Sequence, residues 1–220
     1  WSFGILAREL ADAYNDPGAP AAELPVTYRD FAIWQREWLT GTTLQAQLDY
    51  WSQRLAGVSN LELPTDFPRP LFYAFEGRSL HVDIPPSLRA AIQRISVEER
   101  AMPFMVLLAA FNLLLSAHSR QTDLAVGVPI ANRTQTATEG LIGTFVNTLV
   151  HRNDLTGDPT FRELVMRVRN TALDAYAHQD VPFEVLVKEL DPERDTSRAP
   201  FFQVLFNVAN VRLDGGEIEG

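Results

Sequence analysis

The side chains best suited to acid–base chemistry or metal binding in this sequence are its four histidines, His81, His118, His151 and His178. No two of them stand at the spacing with which histidines share a metal ion, and the chain has no cysteine to complete a zinc site. The sequence also has no glycine-rich phosphate loop and no serine in a nucleophile elbow. We therefore expect no metal centre and no self-sufficient catalytic centre.

Structural roles account for each histidine. His81 lies on the polar face of an alternating segment, where we expect it to be solvated. His118 ends an apolar helical stretch, where a cation would offset the helix dipole, and His151 closes a predicted strand. His178 leads into the more specific sequence Gln179–Glu184, which is typical of a helix start with an acid in its first turn.

The hydrophobic pattern predicts a helical block followed by a mixed α/β region. Capping boxes at Thr27–Asp30 and Thr160–Glu163 mark two helix starts, and residues 57–78 have many turn-forming residues and no period. The predicted elements are helices at about 3–13, 31–38, 42–55, 88–100, 103–118, 161–172 and 182–190, and strands at about 79–84, 124–130, 145–152 and 201–209.

Three of these elements carry specific predictions about burial. The strand at 79–84 is expected to be half-buried because apolar and polar residues alternate in it. The strand at 124–130 has little alternation and is expected to be buried on both faces. The helix after Thr27 is expected to face inward through three aromatic residues. The apolar sets are Leu80, Val82 and Ile84 in the first strand and Phe31, Trp34 and Trp38 in the helix.

Composition and charge exclude several classes of protein. The 220 residues are 46% hydrophobic and 21% charged, which is typical of a globular chain and not of a disordered or collagen-like one. A net charge of −9 argues against nucleic acid or an anionic membrane as the main partner. The longest apolar run, Pro103–Leu115, is too short to span a bilayer, and no signal peptide is visible. The lack of cysteine fits a cytoplasmic location.

Four short motifs stand in order along the chain. They are Tyr28–Trp34 (YRDFAIW), Ile142–Thr148 (IGTFVNT), His178–Glu184 (HQDVPFE) and Arg194–Pro200 (RDTSRAP). Each resembles a motif of the condensation domain of nonribosomal peptide synthetases, and together they span most of the chain.

The best-known signature of that family, His-His-x-x-x-Asp-Gly followed by Trp-Ser, has only its last two positions here, Trp1 and Ser2. No histidine of the chain has an aspartate four residues further on. The resemblance therefore implies that the signature histidine lies just upstream of Trp1, and that this chain contains no catalytic residue of its own. We expect a piece of a longer protein, without the N-terminal half of the domain and cut again after the Asn210 region.

The fold implied by the resemblance is an α/β sandwich like that of chloramphenicol acetyltransferase, with two similar lobes and a tunnel between them. Residues 1–56 would be the helical C-terminal end of the first, donor-side lobe. Residues 57–78 would connect the lobes, and residues 79–220 would form a second lobe that is incomplete at its C-terminus.

The reaction implied by the resemblance is amide formation. An upstream carrier protein would present an acyl or peptidyl thioester on phosphopantetheine, and a downstream carrier would present the aminoacyl thioester whose amine attacks it. The partners would be these carriers, the neighbouring synthetase domains and the missing half of the domain. No cofactor would be bound by this chain directly, because phosphopantetheine arrives on the carriers.

Within the chain, the resemblance assigns active-site support to Arg133, Asn207 and Asn147. Arg133 would pair with the signature aspartate and hold the histidine loop, and Asn207 would face the active site from mid-strand. A buried amide has to find hydrogen-bond partners, which also makes Asn147 a candidate. The other motif residues are expected to be structural, with Asp195 and Arg198 as a local ion pair; they are Tyr28, Asp30, Trp34, Gln179, Asp180, Pro182, Phe183, Glu184, Asp195 and Arg198.

Two other interpretations remain open. A catalytically inactive docking module for carrier proteins would have an exposed apolar rim near residues 1–14 or near the helix that begins at Pro182. A small trimeric acetyltransferase of similar length is disfavoured because that chemistry also uses a His-x-x-x-Asp motif.

Overall fold

The computed structural model describes residues 1–18, 20, 23–68, 77–190 and 197–209. Within these ranges the protein has seven α-helices, two β-strands and one short 3-10 turn. The elements are α1 (Ser2–Asn15), α2 (Tyr28–Trp38), α3 (Gly41–Leu55), α4 (Pro86–Glu98), α5 (Pro103–Ser119), β1 (Asp123–Ile130), the 3-10 turn (Thr136–Thr138), β2 (Asn147–Asp154), α6 (Phe161–Ala177) and α7 (Phe183–Leu190).

The chain divides into two compact units that do not follow the order of the sequence. The first unit contains Trp1–Ala46, Ile130–Asn147 and the described residues from Val208 onward. The second unit contains Gln47–Pro129 and Thr148–Asn207. The first unit therefore combines the helices α1 and α2 with a loop that comes more than eighty residues later.

The core of the second unit is one hydrophobic cluster shared by α5, α6 and β1. Leu108, Val126 and Val165, one from each element, are fully buried in it. Among the described residues, β1 and β2 pair as a two-stranded sheet. β1 is buried continuously from Leu124 to Val128, which confirms the predicted strand with both faces covered.

Local capping residues begin two helices as predicted. The Thr27 hydroxyl accepts a bond from the Asp30 backbone N–H, and the Asp30 carboxylate accepts one from the Thr27 N–H at 2.8 Å. Thr160 and Glu163 form the same reciprocal pair at the start of α6, where the Thr160 N–H donates to the Glu163 carboxylate at 2.7 Å. Each pair satisfies backbone donors that an α-helix leaves without a partner in its first turn.

Arg152 of β2 joins both strands to the end of α3. Its Nε and Nη2 donate to the Asp123 carboxylate, the Nη2–Oδ2 distance being 2.6 Å. Its Nη1 donates to the carbonyl oxygens of Arg54 at 3.1 Å and of Ala56 at 2.7 Å. Because carbonyls at a helix C-terminus have no partner within the helix, Arg152 caps α3 from the sheet.

The predicted strand at 79–84 is wrong. Leu80 and Val82, two of its three apolar residues, are 88% and 77% exposed, and Ile84 is exposed as well. Alternation favours a strand only where a neighbouring strand takes up its backbone hydrogen bonds, and no strand in the described part of the chain pairs with this segment.

The predicted strand at 201–209 is reduced to a single parallel bridge between Leu205 and Gly127. The Gly127 N–H donates to the Val204 carbonyl at 2.9 Å, and the Phe206 N–H donates to the Gly127 carbonyl at 2.8 Å. A side chain at Gly127 would lie 2.5 Å from the Phe202 ring, so the absence of a Cβ lets this segment approach β1.

The aromatic stripe of α2 is less buried than the sequence predicts. Trp34 and Trp38 are each about two-fifths exposed and stack on each other with ring centroids 5.2 Å apart. Phe31 is half-buried against Phe145, at a centroid distance of 4.7 Å. The two tryptophans cover part of each other's surface, and Trp34 also packs on Phe31 at a centroid distance of 5.8 Å.

No helix within the described ranges has, alone, the length and apolar composition needed to cross a membrane. The pair α4 and α5 passes both criteria together but is bent by 108° at its junction.

Candidate functional site

Arg133 is the centre of a polar and aromatic cluster in the first unit. It follows Asn132, whose left-handed backbone (φ 51°) turns the chain after β1. Its Nη2 donates to the Ser2 hydroxyl at 2.9 Å, and its Nη1 donates to the Thr138 carbonyl. The guanidinium carbon lies 4.1 Å from the centre of the Phe145 ring, within the range of a cation–π interaction. Partial burial lowers the pKa of this guanidinium, which remains a cation.

The first two residues of the chain are held by the same loop. The Ser2 hydroxyl donates to the Gly143 carbonyl at 2.9 Å and accepts from the Gly143 N–H at 3.2 Å. The Trp1 indole N–H donates to the Glu139 carbonyl at 2.8 Å, and the Arg133 guanidinium carbon lies 5.5 Å from the Trp1 ring centre. We call Trp1, Ser2, Arg133 and Gly143 the clamp.

Two of the sequence motifs meet beside the clamp. The Tyr28 hydroxyl donates to the Thr144 carbonyl at 2.9 Å, and the Tyr28 ring meets the buried Phe145 ring edge-on at 5.1 Å. A Cβ at Gly143 would lie 2.4 Å from the Tyr28 ring, so only glycine permits this packing. The motif at 28–34 therefore holds the loop that contributes Gly143 to the clamp.

A cavity of about 350 Å³ lies in the same unit, between α2 and the loop that contains the 3-10 turn. Its wall is mostly apolar, and Asp30 contributes a carboxylate that is already engaged by Thr27. Hydrogen bonds from Thr27 lower the pKa of this carboxyl. The lining residues are Val26, Asp30, Phe31, Trp34, Gln135, Ala137 and Thr138.

In the second unit, the motif that starts at His178 packs against α3 and forms hydrogen bonds with it. The Trp51 indole N–H donates to the His178 carbonyl at 2.8 Å, and the Gln47 amide donates to the Asp180 carboxylate at 3.1 Å. The His178 ring stacks on Tyr50 at 3.8 Å with an angle of 5°. Burial raises the pKa of Asp180.

The rest of this motif begins α7. Pro182 precedes the helix and accepts at its carbonyl the 3.0 Å bond from the Val185 N–H. Phe183 packs on Phe202 at a centroid distance of 5.3 Å. Glu184 lies in the first helical turn, where its charge is favourable, as predicted.

His151 is fully buried within β2, whereas the sequence pattern predicts it at the end of the strand. Neither ring nitrogen has a hydrogen-bond partner among the described residues, and the ring lies edge-on to Phe104 and Tyr176. Burial, with a smaller contribution from the Arg54 charge, lowers its pKa to about 4. The sequence carries no signal for this, because three of the four buried alternate residues from Asn147 to Asn153 are polar.

The clamp presents a fixed cation and several oriented dipoles but no base. Arg133 has five N–H donors, of which the Ser2 and Thr138 bonds occupy two. No group of three or more His, Asp or Glu side chains within the described ranges could hold a metal ion. Such a site can hold a carboxylate or a polar loop in place, and proton transfer would need a residue from elsewhere.

The family model named Condensation domain matches residues 1–219. The chain belongs to the condensation-domain family.

Relatives of this condensation domain are peptide synthetases. A linear gramicidin synthase polypeptide of Brevibacillus parabrevis is 50% identical over 96% of the chain. Malpinin synthetase of Mortierella alpina is 40% identical over the whole chain. The chain spans only 4% and 3% of the length of these two relatives.

Solved structures confirm the expected fold class of a condensation domain. The X-domain from teicoplanin biosynthesis matches with a TM-score of 0.85 and 29% identity, covering 93% of this chain and 48% of that one. A four-domain nonribosomal peptide synthetase, holo-AB3403, shares the fold with a TM-score of 0.83 and 24% identity, over 96% of this chain and 16% of that one.

The predicted support residues have different surroundings in this condensation domain. Arg133 belongs to the clamp, and Asn147 is buried at the first position of β2. Asn207 is exposed and outside any strand, so the prediction of a buried mid-strand amide is wrong; with no sheet around it, its amide can be solvated. The proposed roles of the three residues near an active site stay predictions.

The predicted ion pair between Asp195 and Arg198 falls partly on residues outside the described ranges, because Asp195 is among them. Arg198 is described, and it forms an ion pair with Glu62, with an Nη2–Oε2 distance of 2.9 Å. Sequence reasoning missed this long-range pair and the role of Ser2, since no local pattern links residues more than 130 positions apart.

Proposed function

We propose that this chain is part of a condensation domain that joins a carrier-bound acyl or peptidyl thioester to the amine of a carrier-bound aminoacyl thioester. The observation that supports it most is the match of the condensation-domain family over residues 1–219. The amine nitrogen attacks the thioester carbonyl carbon, the new C–N bond forms, and the C–S bond breaks to release the phosphopantetheine thiol. The amine loses one proton, which the departing thiolate finally takes up.

In this proposal, the residue that moves the proton is a histidine in the segment just upstream of Trp1. A thioester is already activated, so placing the two reactants supplies much of the rate, and polar groups stabilise the developing charges. Arg133 contributes by pairing with the aspartate of that same segment. Its position supports this role, because the guanidinium lies beside Trp1 and Ser2 with donors to spare.

The proposed partners are two carrier proteins, the adjoining synthetase domains and the other half of the domain. The chain covers about half of the X-domain structure it matches, 48% of that chain. Phosphopantetheine acts here as the arm of the substrate-bearing carriers. A cytoplasmic location belongs to the same proposal.

A second candidate function is a docking module for carrier proteins that has no activity of its own. It is favoured by the apolar stripe on α1, where Phe3 is 79% exposed and Leu10 and Tyr14 are each 65% exposed. These three residues and Leu6 recur at helical spacing on one side of the helix. An exposed apolar stripe of this kind marks an interaction surface.

The test is amide formation by the full-length protein, with purified donor and acceptor carrier domains that bear chemically prepared aminoacyl thioesters of phosphopantetheine. Mass spectrometry of the acceptor carrier is expected to show the dipeptidyl thioester. Arg133→Ala is expected to slow its formation at least about tenfold, while Arg36→Ala, an exposed arginine on α2, serves as the control. Loaded carriers that bind but yield no amide would favour the docking module.

A further inference from the structure

The Ser2 hydroxyl has its whole hydrogen-bonding capacity in use. A serine hydroxyl has one donor hydrogen and two acceptor lone pairs. The hydrogen goes to the Gly143 carbonyl at 2.9 Å, and the lone pairs accept from the Gly143 N–H at 3.2 Å and from Arg133 Nη2 at 2.9 Å. One small side chain therefore joins the start of α1 to both backbone groups of Gly143 and to the cation of the clamp.

The loop on the other side of these bonds makes several further contacts. Gly143 packs against the Tyr28 ring, and the Thr144 carbonyl accepts from the Tyr28 hydroxyl at 2.9 Å. Arg133 is fixed by the Phe145 ring and by the Thr138 carbonyl. Ser2 thus attaches the start of α1 to a loop that is held by several contacts of its own, so its bonds fix the position of the helix start.

We infer that Ser2 is a positioning residue of the proposed reaction. This inference rests on the proposed function, which puts the catalytic histidine in the segment that runs directly into Trp1. Ser2 holds the point at which that segment joins α1 through three hydrogen bonds. The Trp1 indole adds a fourth, to the Glu139 carbonyl at 2.8 Å. The hydroxyl touches no reacting atom and acts through the placement of the histidine.

Two substitutions at Ser2 differ in how many of these hydrogen bonds they remove. Ser2→Ala leaves the Arg133 donor and both Gly143 backbone groups without their partner. Ser2→Thr keeps a hydroxyl that can make the same three bonds. Because a displacement of about 1 Å can cost about a hundredfold in rate, we expect Ser2→Ala to lower kcat about 10- to 100-fold.

The experiment measures amide formation by the full-length protein, with the carriers loaded as above and the acceptor carrier varied in concentration. For Ser2→Ala we expect the loss in kcat, an unchanged KM for the acceptor carrier and an unchanged circular dichroism spectrum. Ser2→Thr is expected to recover most of the rate. Ser52→Ala, which removes an exposed hydroxyl from α3, is the matched control and should keep the wild-type rate.

The outcomes separate the inference from the function it rests on. If the wild-type protein forms no amide, the proposed function fails. If the wild-type protein is active and Ser2→Ala stays within twofold of it, the function stands and the inference is overturned. The inference is also overturned if Ser2→Thr is as slow as Ser2→Ala, or if the lost rate tracks only the fraction of unfolded protein.

Discussion

The buried His151 should make the stability of the second unit depend on pH. Its pKa is about 4 in the folded protein, against an ordinary value of 6.5. As the pH falls below 6.5, the unfolded chain takes up a proton on this ring, while the folded chain stays neutral until about pH 4. The free energy of unfolding therefore decreases with falling pH over this window. Below the folded-state pKa both states are protonated at His151, and this residue causes no further decrease.

The size of the effect follows from the two pKa values. At about 1.4 kcal/mol per pH unit, this histidine alone should lower the unfolding free energy by about 2 kcal/mol between pH 7 and pH 4.5. His151→Leu fills the same apolar space between Phe104 and Tyr176 without a titrating group. The variant should also be more stable at pH 7, since a buried ring nitrogen without a partner costs about 1–3 kcal/mol.

The assay is urea unfolding of wild type and variant at pH 7, 6, 5 and 4.5, followed by circular dichroism. Taking the difference between the two proteins cancels the acid sensitivity of the carboxylates, which both share. The stability difference should widen by about 2 kcal/mol over this range. A constant difference between wild type and His151→Leu from pH 7 to pH 4.5 would refute the reasoning.

Three further predictions concern packing, capping and association. Gly143→Ala puts a Cβ 2.4 Å from an aromatic ring and should lower the unfolding free energy by about 1–3 kcal/mol, whereas Gly140→Ala, with nothing within 4 Å, should not; chemical denaturation checks both. Thr160→Ala removes the capping box of α6 and should cost about 1 kcal/mol in the same measurement, with Thr160→Ser restoring it. We expect the exposed apolar stripe of α1 to make the isolated chain self-associate, and the double variant Phe3→Ser, Leu10→Ser to shift it toward monomer in analytical ultracentrifugation; an unchanged distribution would contradict a role of α1 in association.

Elements with local determinants could be predicted from the sequence. The starts of α2 and α6 follow from the reciprocal pairs Thr27–Asp30 and Thr160–Glu163, each contained within four residues. β1 follows from a continuous apolar run, and α5 begins at Pro103 as expected. These features depend on neighbours along the chain, so a pattern of residue types is enough to indicate them.

Features that depend on distant partners could not be predicted in the same way. The segment at 79–84 has the alternation of a strand, yet its apolar residues are exposed because pairing is a property of two segments. The sequence resemblance singles out Arg133, but its bond to Ser2 joins residues 131 positions apart. The prediction that Asn207 is buried is wrong because it assumes a sheet that forms only one bridge there.

The cap that Arg152 places on α3 has a consequence for the order of events during protein synthesis. The carbonyl of Arg54 leaves the ribosome 98 residues before the side chain that binds it. At about 5–20 residues per second, the end of α3 waits roughly 5–20 s for its cap. During this interval the nascent helix can fray at its C-terminus, and it becomes fully defined only when β2 arrives to pair with β1. Translation pauses between these two points would lengthen the exposure of α3 to chaperones and proteases.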